Sequence, residues 1–193
     1  RVEERPWHGG AAVLLDHRAA AHRGAGPGSS LECAVSLAAS VCVHLHQLGR
    51  RVRLLTAEGR VLAGGPDAPA AGGTEVLLDA LAVLRPSAHR AVHTAPTLDG
   101  GADLVAVLGS ASPADLEQLL RHRPRGLRSH AVLLDVAAWA GPAAAGGACD
   151  PAEAQRLLVA AGWSVVVAGP DEPIASVWRR LCAESRSKQT ALR

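Results

Sequence analysis

Five short runs, Ala11–Asp16, Val52–Thr56, Leu104–Leu108, Ala131–Asp135 and Ser164–Ala168, are apolar at consecutive positions and rich in Val and Leu. They do not alternate apolar with polar residues, as a strand with one wet face does. Each is therefore expected to be covered on both faces, as in a parallel sheet. Helical patterns lie between them, and a β-α-β-α order specifies a doubly wound α/β fold with helices on both faces. One element breaks the alternation. Arg51–Ala57 and Arg60–Ala63 flank Glu58-Gly59, and only a hairpin closes so tightly. The reading is a mostly parallel six-stranded sheet of order 3-2-1-4-5-6, with the 60–63 strand antiparallel at one edge and the 11–16 strand inside.

The helices are punctuated. Ser29-Ser30-Leu31-Glu32 has the pattern of a capping box, with Glu32 reaching back to the cap, and Gly49 supplies the stop about eighteen residues on. A second helix starts at Thr74, runs through Leu77, Leu81 and Leu84 and ends before Pro86. Ser112-Pro113 and Asp150-Pro151 each pair a cap with a first-turn proline and open helices near 113–122 and 151–161. A last helix is expected from about Pro173 to Arg186, with a polar tail over 186–193 that frays. The Gly/Pro/Ala-rich stretches 64–73 and 86–102 read as surface loops. There is no internal repeat, and residues 1–193 read as a single domain.

Composition removes several function classes. The core must be Leu, Val and Ala, because the chain is 48% hydrophobic but holds no Phe, Tyr or Met and only four Trp. A net charge of +2 gives no electrostatic case for nucleic acid, and stacking platforms are missing. No apolar run approaches the roughly 20 residues that cross a bilayer. No signal peptide pattern is present. Cys33, Cys42, Cys149 and Cys182 form no Cys-x-x-Cys pair. A chain that begins at Arg1 and contains no Met reads as a piece of a longer protein or as one whose start is misassigned.

Parallel α/β sheets bind at the carboxyl ends of their strands. Asp16, the Gly109-Ser110 corner and Asp135 fall there, and Arg18 and Arg23 lie in the long loop after Asp16. Asp16 and Asp135 are either a carboxylate pair or, more commonly for such residues, strand ends held by backbone amides. An Asp in this place opens a Mg²⁺ site when followed as Asp-x-Ser-x-Ser. Here the chain continues Asp16-His17-Arg18-Ala19-Ala20, with a guanidinium and a methyl in place of two hydroxyl ligands. A hard cation wants oxygen, so no affinity for Mg²⁺ or Mn²⁺ tighter than millimolar is expected. Arg18 either serves as the counter-charge of Asp16 or points away. Gly24-x-Gly26-x-Gly28 is not a nucleotide loop, because it does not turn directly from strand into helix. The histidines, His17 and His22 among them, read as surface or loop residues. Ser110 lacks the Gly-x-Ser-x-Gly elbow of a hydrolase nucleophile.

Arg1-Val2-Glu3-Glu4-Arg5-Pro6-Trp7, Ala12–Asp16, Ser30-Leu31-Glu32 leading into Val35–Ser40, and Gly49–Leu54 together resemble the C-terminal half of the domain-of-unknown-function 58 family, which is similar to a von Willebrand factor A domain. The resemblance covers nearly the whole chain, through element order after residue 86. It implies the six-stranded sheet with the hairpin over 51–63. It also implies a degenerate metal-ion-dependent adhesion site: Asp16 and Thr74 match its first aspartate and its threonine, Arg18 and Ala20 stand at its serines, and Gly109 stands near its second aspartate. Full-length relatives resemble membrane proteins encoded beside MoxR-type AAA+ ATPases, which would put this chain at the cytoplasmic face of a membrane.

The expectation is a non-enzymatic protein-interaction module with no cofactor. Asp16, Arg18, Arg23, Thr74, Ser110 and Asp135 are its candidate contact residues, and a MoxR-type ATPase is its possible partner. The competing class is a small α/β hydrolase or nucleotide-binding enzyme using the same edge.

Overall fold

The computed structural model describes residues 10–64, 73–93, 102–122, 128–140 and 150–191. The chain order is β1 (Gly10–Leu15), α1 (Ser30–Gln47), β2 (Val52–Thr56), β3 (Val61–Ala63), α2 (Gly73–Ala82), β4 (Ala102–Leu108), α3 (Pro113–Arg121), β5 (Ser129–Leu134), α4 (Val136–Ala140), α5 (Pro151–Ala160), β6 (Ser164–Ala168) and α6 (Ile174–Ala191). The sheet order is β3-β2-β1-β4-β5-β6, with every pair parallel except β2 with β3. Both the order and the antiparallel edge match the sequence reading.

Why the strands do not alternate is visible in β1. Ala11, Val13 and Leu15 enter the core under α1, α2 and α6 with Leu37, Val41, Leu77 and Leu181. Ala12 and Leu14 enter the opposite core with Leu116, Leu119, Leu158 and Trp163, contributed by α3, α5 and the turn before β6. Each of the five parallel strands thus feeds two hydrophobic layers, whereas edge strand β3 adds only to the first, with Val61 exposed. At the hairpin, the Gly59 N–H donates to the Thr56 carbonyl at 2.9 Å with Gly59 at φ 80°, a conformation open to glycine at little cost.

Three local readings need correction. At α1 the Ser29 hydroxyl accepts from the Glu32 N–H at 3.2 Å, which is half of the expected capping box. The complete box stands on α3, where Ser112 and Asp115 each satisfy the other's backbone N–H. The last helix does not end at Arg186. It continues to Ala191, because no Gly or Pro interrupts 186–191 and Lys188 donates to the Trp163 carbonyl, tying the last turns to the β5–β6 side of the sheet. A short helix, α4, was not anticipated. The loops read at 64–73 and 86–102, and the segment Arg1–Trp7, lie wholly or partly outside the described residues. Of the described part, 86–93 is largely exposed, as a surface loop should be, but its backbone is tied to the loop edge at Ser87, Arg90, Val92 and His93.

Candidate functional site

The carboxyl ends of β1 and β4 converge on one buried side chain, Arg18, which is 2% exposed. β1 delivers Asp16, 0% exposed, directly below it. Arg18 Nε donates to Asp16 Oδ1 at 2.9 Å and Nη2 donates to Asp16 Oδ2 at 2.8 Å, a two-pronged pairing. Nη1 donates to Asp115 Oδ2 at 3.1 Å and to the Arg90 carbonyl at 2.8 Å. The second Nη2 hydrogen reaches the Ser110 carbonyl at 3.2 Å. Every N–H of the guanidinium therefore has an acceptor, and all the acceptors are oxygens from four separate segments.

The charges are arranged so that each supports the next. Burial alone would lower the pKa of Arg18. Its hydrogen bonds to Asp16 and the nearby charges of Asp16 and Asp115 outweigh burial and hold it above the ordinary arginine value. Burial alone would raise Asp115. The N–H groups of Val92 and Ser112, the Ser112 hydroxyl and Arg18 reverse that and hold its carboxyl below the ordinary range. Asp115 Oδ1 accepts from Val92 N at 2.7 Å, and Oδ2 accepts from Ser112 N and Oγ, each at 2.9 Å. One carboxylate thus caps α3, fixes the α2–β4 connection and pairs with the buried cation.

The loop after β1 is folded down onto this cluster. Ala19 N donates to Ser87 O and Ser87 N to His17 O, both at 2.8 Å. Ala21 O accepts from Ser110 N at 2.8 Å. This approach requires glycine at 109: a Cβ there would sit 2.3 Å from Ala21 O. His22, 7% exposed, lies 2.8 Å from the Asp16 carbonyl through Nε2 and 3.1 Å from Ser30 Oγ through Nδ1. A carbonyl only accepts, so Nε2 carries the hydrogen and Nδ1 accepts from the Ser30 hydroxyl. Burial lowers the pKa of His22, which matches that neutral form. His17, 3% exposed and 4.0 Å from Glu58, is likewise lowered by burial. Both histidines lie in the loop after β1, as the sequence reading allowed, but they are buried in it and not on the surface.

The structure brings together some of the expected residues and separates others. Asp16, Arg18 and Ser110 meet. Asp135 is half-buried on the same edge, two strands over from β1, and its carboxylate does not pair with Asp16. Arg23 is half-buried and donates to the carbonyls of Ala20 and His22 at 3.1 and 2.8 Å. Arg18 is the counter-charge of Asp16, the first of the two alternatives read from the sequence, and because its side chain is consumed internally it is not itself an exposed contact residue. Thr74 is at the wrong end. β3 is antiparallel, so it returns the chain to the amino edge of the sheet before α2 begins. There Gly73 faces His46 of α1, with an added Cβ 3.4 Å from its ring. His46 stands in the last turn of α1, whose first residue Ser30 lies at the Asp16 edge, about 24 Å away at the helical rise. Thr74 therefore takes no part in this cluster.

Asp115 was missed, although Ser112-Pro113-Ala114-Asp115 carries its signal: an acid at the third helical position after a Ser cap. Among the described residues, no group of three or more His, Cys, Asp or Glu is placed to hold a metal ion.

No protein-family model matches the chain, and no characterised protein matches it in sequence. In structure it is similar to a von Willebrand factor type A protein from Catenulispora acidiphila, with a TM-score of 0.52 at 10% identity. The likeness covers 93% of this chain and 42% of that one, so the chain spans less than half of that protein's length. At this identity the likeness establishes the fold, a von Willebrand factor A-like α/β sheet.

Proposed function

We propose that the chain is a non-enzymatic protein-interaction module in which Arg18 takes the structural place of a divalent cation at the loop edge. The observation that carries this reading is the saturation of the guanidinium by Asp16, Asp115 and two backbone carbonyls. A divalent cation in such a fold gathers oxygens from several loops into one rigid surface. Arg18 gathers oxygens from the β1 loop, the α2–β4 connection, the β4–α3 corner and α3. What it builds is a preformed edge whose exposed parts, Ala19, Ala20 and the 24–28 loop, stand on a rigid base.

Against the enzyme reading stands the burial of the reactive groups. Ser30, which hydrogen-bonds His22, is 0% exposed, so it cannot meet a substrate. The carboxylates of the cluster are already paired. The sequence likeness to the domain-of-unknown-function 58 family extends the proposal: the chain would be the interaction half of such a protein, at the cytoplasmic face of a membrane, with a MoxR-type AAA+ ATPase as partner. Among the described residues no helix is long and apolar enough to cross a membrane.

A pull-down against such an ATPase tests the reading. Arg23→Glu, at the loop edge, is expected to weaken capture, while Arg51→Glu, exposed at the amino edge, leaves it unchanged. Normal capture by Arg23→Glu together with loss in Arg51→Glu would move the contact surface to the other edge.

A further inference from the structure

Charge on the loop edge is divided. Asp135 and Asp171 stand over β5 and β6, with Glu172 held by Arg180 at 2.7 Å. Over β1 and β2 the unpaired charges are guanidiniums. Arg85 and Arg90 are exposed on the α2–β4 connection, two residues before and three after Ser87, whose backbone bonds His17 and Ala19. Arg23 lies across the same turn, its guanidinium donating to the carbonyls of Ala20 and His22. Among the described residues no carboxylate pairs with any of these three arginines. Arg60, on the hairpin, is offset by Glu58 two residues earlier. Beneath them the buried cluster sets two carboxylates against the single Arg18, and the α3 N-terminus, capped by Asp115, answers the excess. The acids over β5 and β6 are two and three strands from β1, about 10–14 Å, beyond the screening length at physiological salt.

Three guanidiniums without carboxylates, on a base made rigid by Arg18, lack one kind of group. We propose that the partner of the loop edge docks through an acidic segment, its Asp or Glu carboxylates on Arg23, Arg85 and Arg90. This rests on the interaction reading and names the chemistry of the partner. The planar fork of each guanidinium matches a carboxylate. Between the forks the exposed side chains are small, Ala19, Ala20, Ala88 and Ala91, so an extended chain can lie close. Charges at such a rim act on encounter and on partner choice more than on raw affinity. Nucleic acid fits worse. Tight binding to it takes roughly 6–10 phosphate contacts, and the described tryptophans, Trp139, Trp163 and Trp178, pack on the two cores instead of forming a stacking platform.

Fluorescence anisotropy of the intact chain with a labelled peptide of about ten alternating Glu and Asp residues tests the proposal. The expected result is saturable binding with a Kd on the order of 100 µM at about 50 mM salt, weakened about fivefold or more at about 300 mM. A peptide with Gln and Asn in their place should not saturate by about 2 mM. Arg23→Gln, Arg85→Gln and Arg90→Gln should each weaken the acidic peptide by about two- to fivefold and together by about tenfold or more. Thermal melts confirm that the variants fold, and Arg51→Gln, exposed at the amino edge, should change nothing. Absence of saturable binding, or equal affinity for the Gln/Asn peptide, would overturn the proposal. So would undiminished binding by the folded triple variant, or tighter binding of an oligothymidylate of the same length at the same salt. If Arg23→Glu weakens capture of the ATPase while the acidic peptide does not bind, the loop edge remains the contact surface and the acidic chemistry alone fails.

Discussion

A Cβ built on Gly109 would lie 2.3 Å from the carbonyl oxygen of Ala21, closer than any side chain can stand. Without a side chain at 109, the β1 loop closes and Ala21 bonds Ser110. Gly109→Ala should reopen the loop and destabilise the fold by about 1–3 kcal/mol. Urea denaturation measures this. An unchanged midpoint would mean that the loop yields without cost.

Arg18 should behave as a core residue. Arg18→Leu leaves Asp16 and Asp115 buried without their cation and is expected to cost about 3–5 kcal/mol. Arg18→Lys should recover little, because a single ammonium cannot match the two-pronged contact with Asp16 or reach four segments at once. Arg23→Glu should shift stability by only about 0.5 kcal/mol. Chemical denaturation of the three variants in parallel checks the ranking. Equal effects at 18 and 23 would contradict the buried pairing.

Asp115 links α3 to the cluster, so its coupling to Arg18 is measurable. A double-mutant cycle with Arg18→Leu and Asp115→Asn should return an interaction of about 1–3 kcal/mol. Ser112→Ala should cost about 1–2 kcal/mol through the lost cap. Strict additivity of Arg18→Leu and Asp115→Asn would show that the 3.1 Å contact carries no energy.

The buried histidines set the acid response. Burial holds His22 and His17 below the ordinary value of 6.5. Between that value and their folded-state values, the unfolded chain binds more protons, so stability falls as pH drops. Above 6.5 both states are neutral and their contribution is fully present. Asp115 adds a loss at lower pH, since its depressed carboxyl stabilises the fold above its ordinary value and ceases to as pH falls through the folded one. Melting temperature should be flat above pH 7 and decline from about 6.5 downward, with a slope of at most about 1.4 kcal/mol per pH unit for each histidine. His22→Gln should flatten part of that slope. A melting temperature that rises on acidification from pH 7 to 5 would contradict the burial of neutral imidazoles.

The sheet was legible because its strands are dominated by Val, Leu and Ala without polar alternation and its hairpin is tight. Those signals are local and set by burial on both faces. The site was legible only where one position sufficed: Asp16 at the end of β1, and Arg18 as a residue that cannot bind metal. What Arg18 does instead depends on Arg90, Ser110 and Asp115, which are 72, 92 and 97 residues away in sequence and meet it only through the fold. Thr74 misled for a related reason. Its Gly-Gly-Thr context matched a pattern, but the antiparallel β3 carries it to the far edge of the sheet. His17 and His22 looked like surface histidines because their loop is polar in composition. Their burial follows from the loop folding onto Gly109, which no periodicity reports.

The central claim is that a guanidinium does here what a divalent ion does elsewhere, and thermal unfolding with and without Mg²⁺ tests it most directly. At about 10 mM Mg²⁺, a site of millimolar affinity would stabilise by about 1.4 kcal/mol and raise the melting temperature of a chain this size by about 3–6 °C. The unaltered chain should show no such shift and no response to chelator. Arg18→Ser, which frees the Asp16, Asp115, Arg90 and Ser110 oxygens, should start less stable and regain part of the loss in Mg²⁺. A saturable rise of several degrees in the unaltered chain, abolished by Asp16→Ala, would show that a metal still binds there and that Arg18 does not stand in for it.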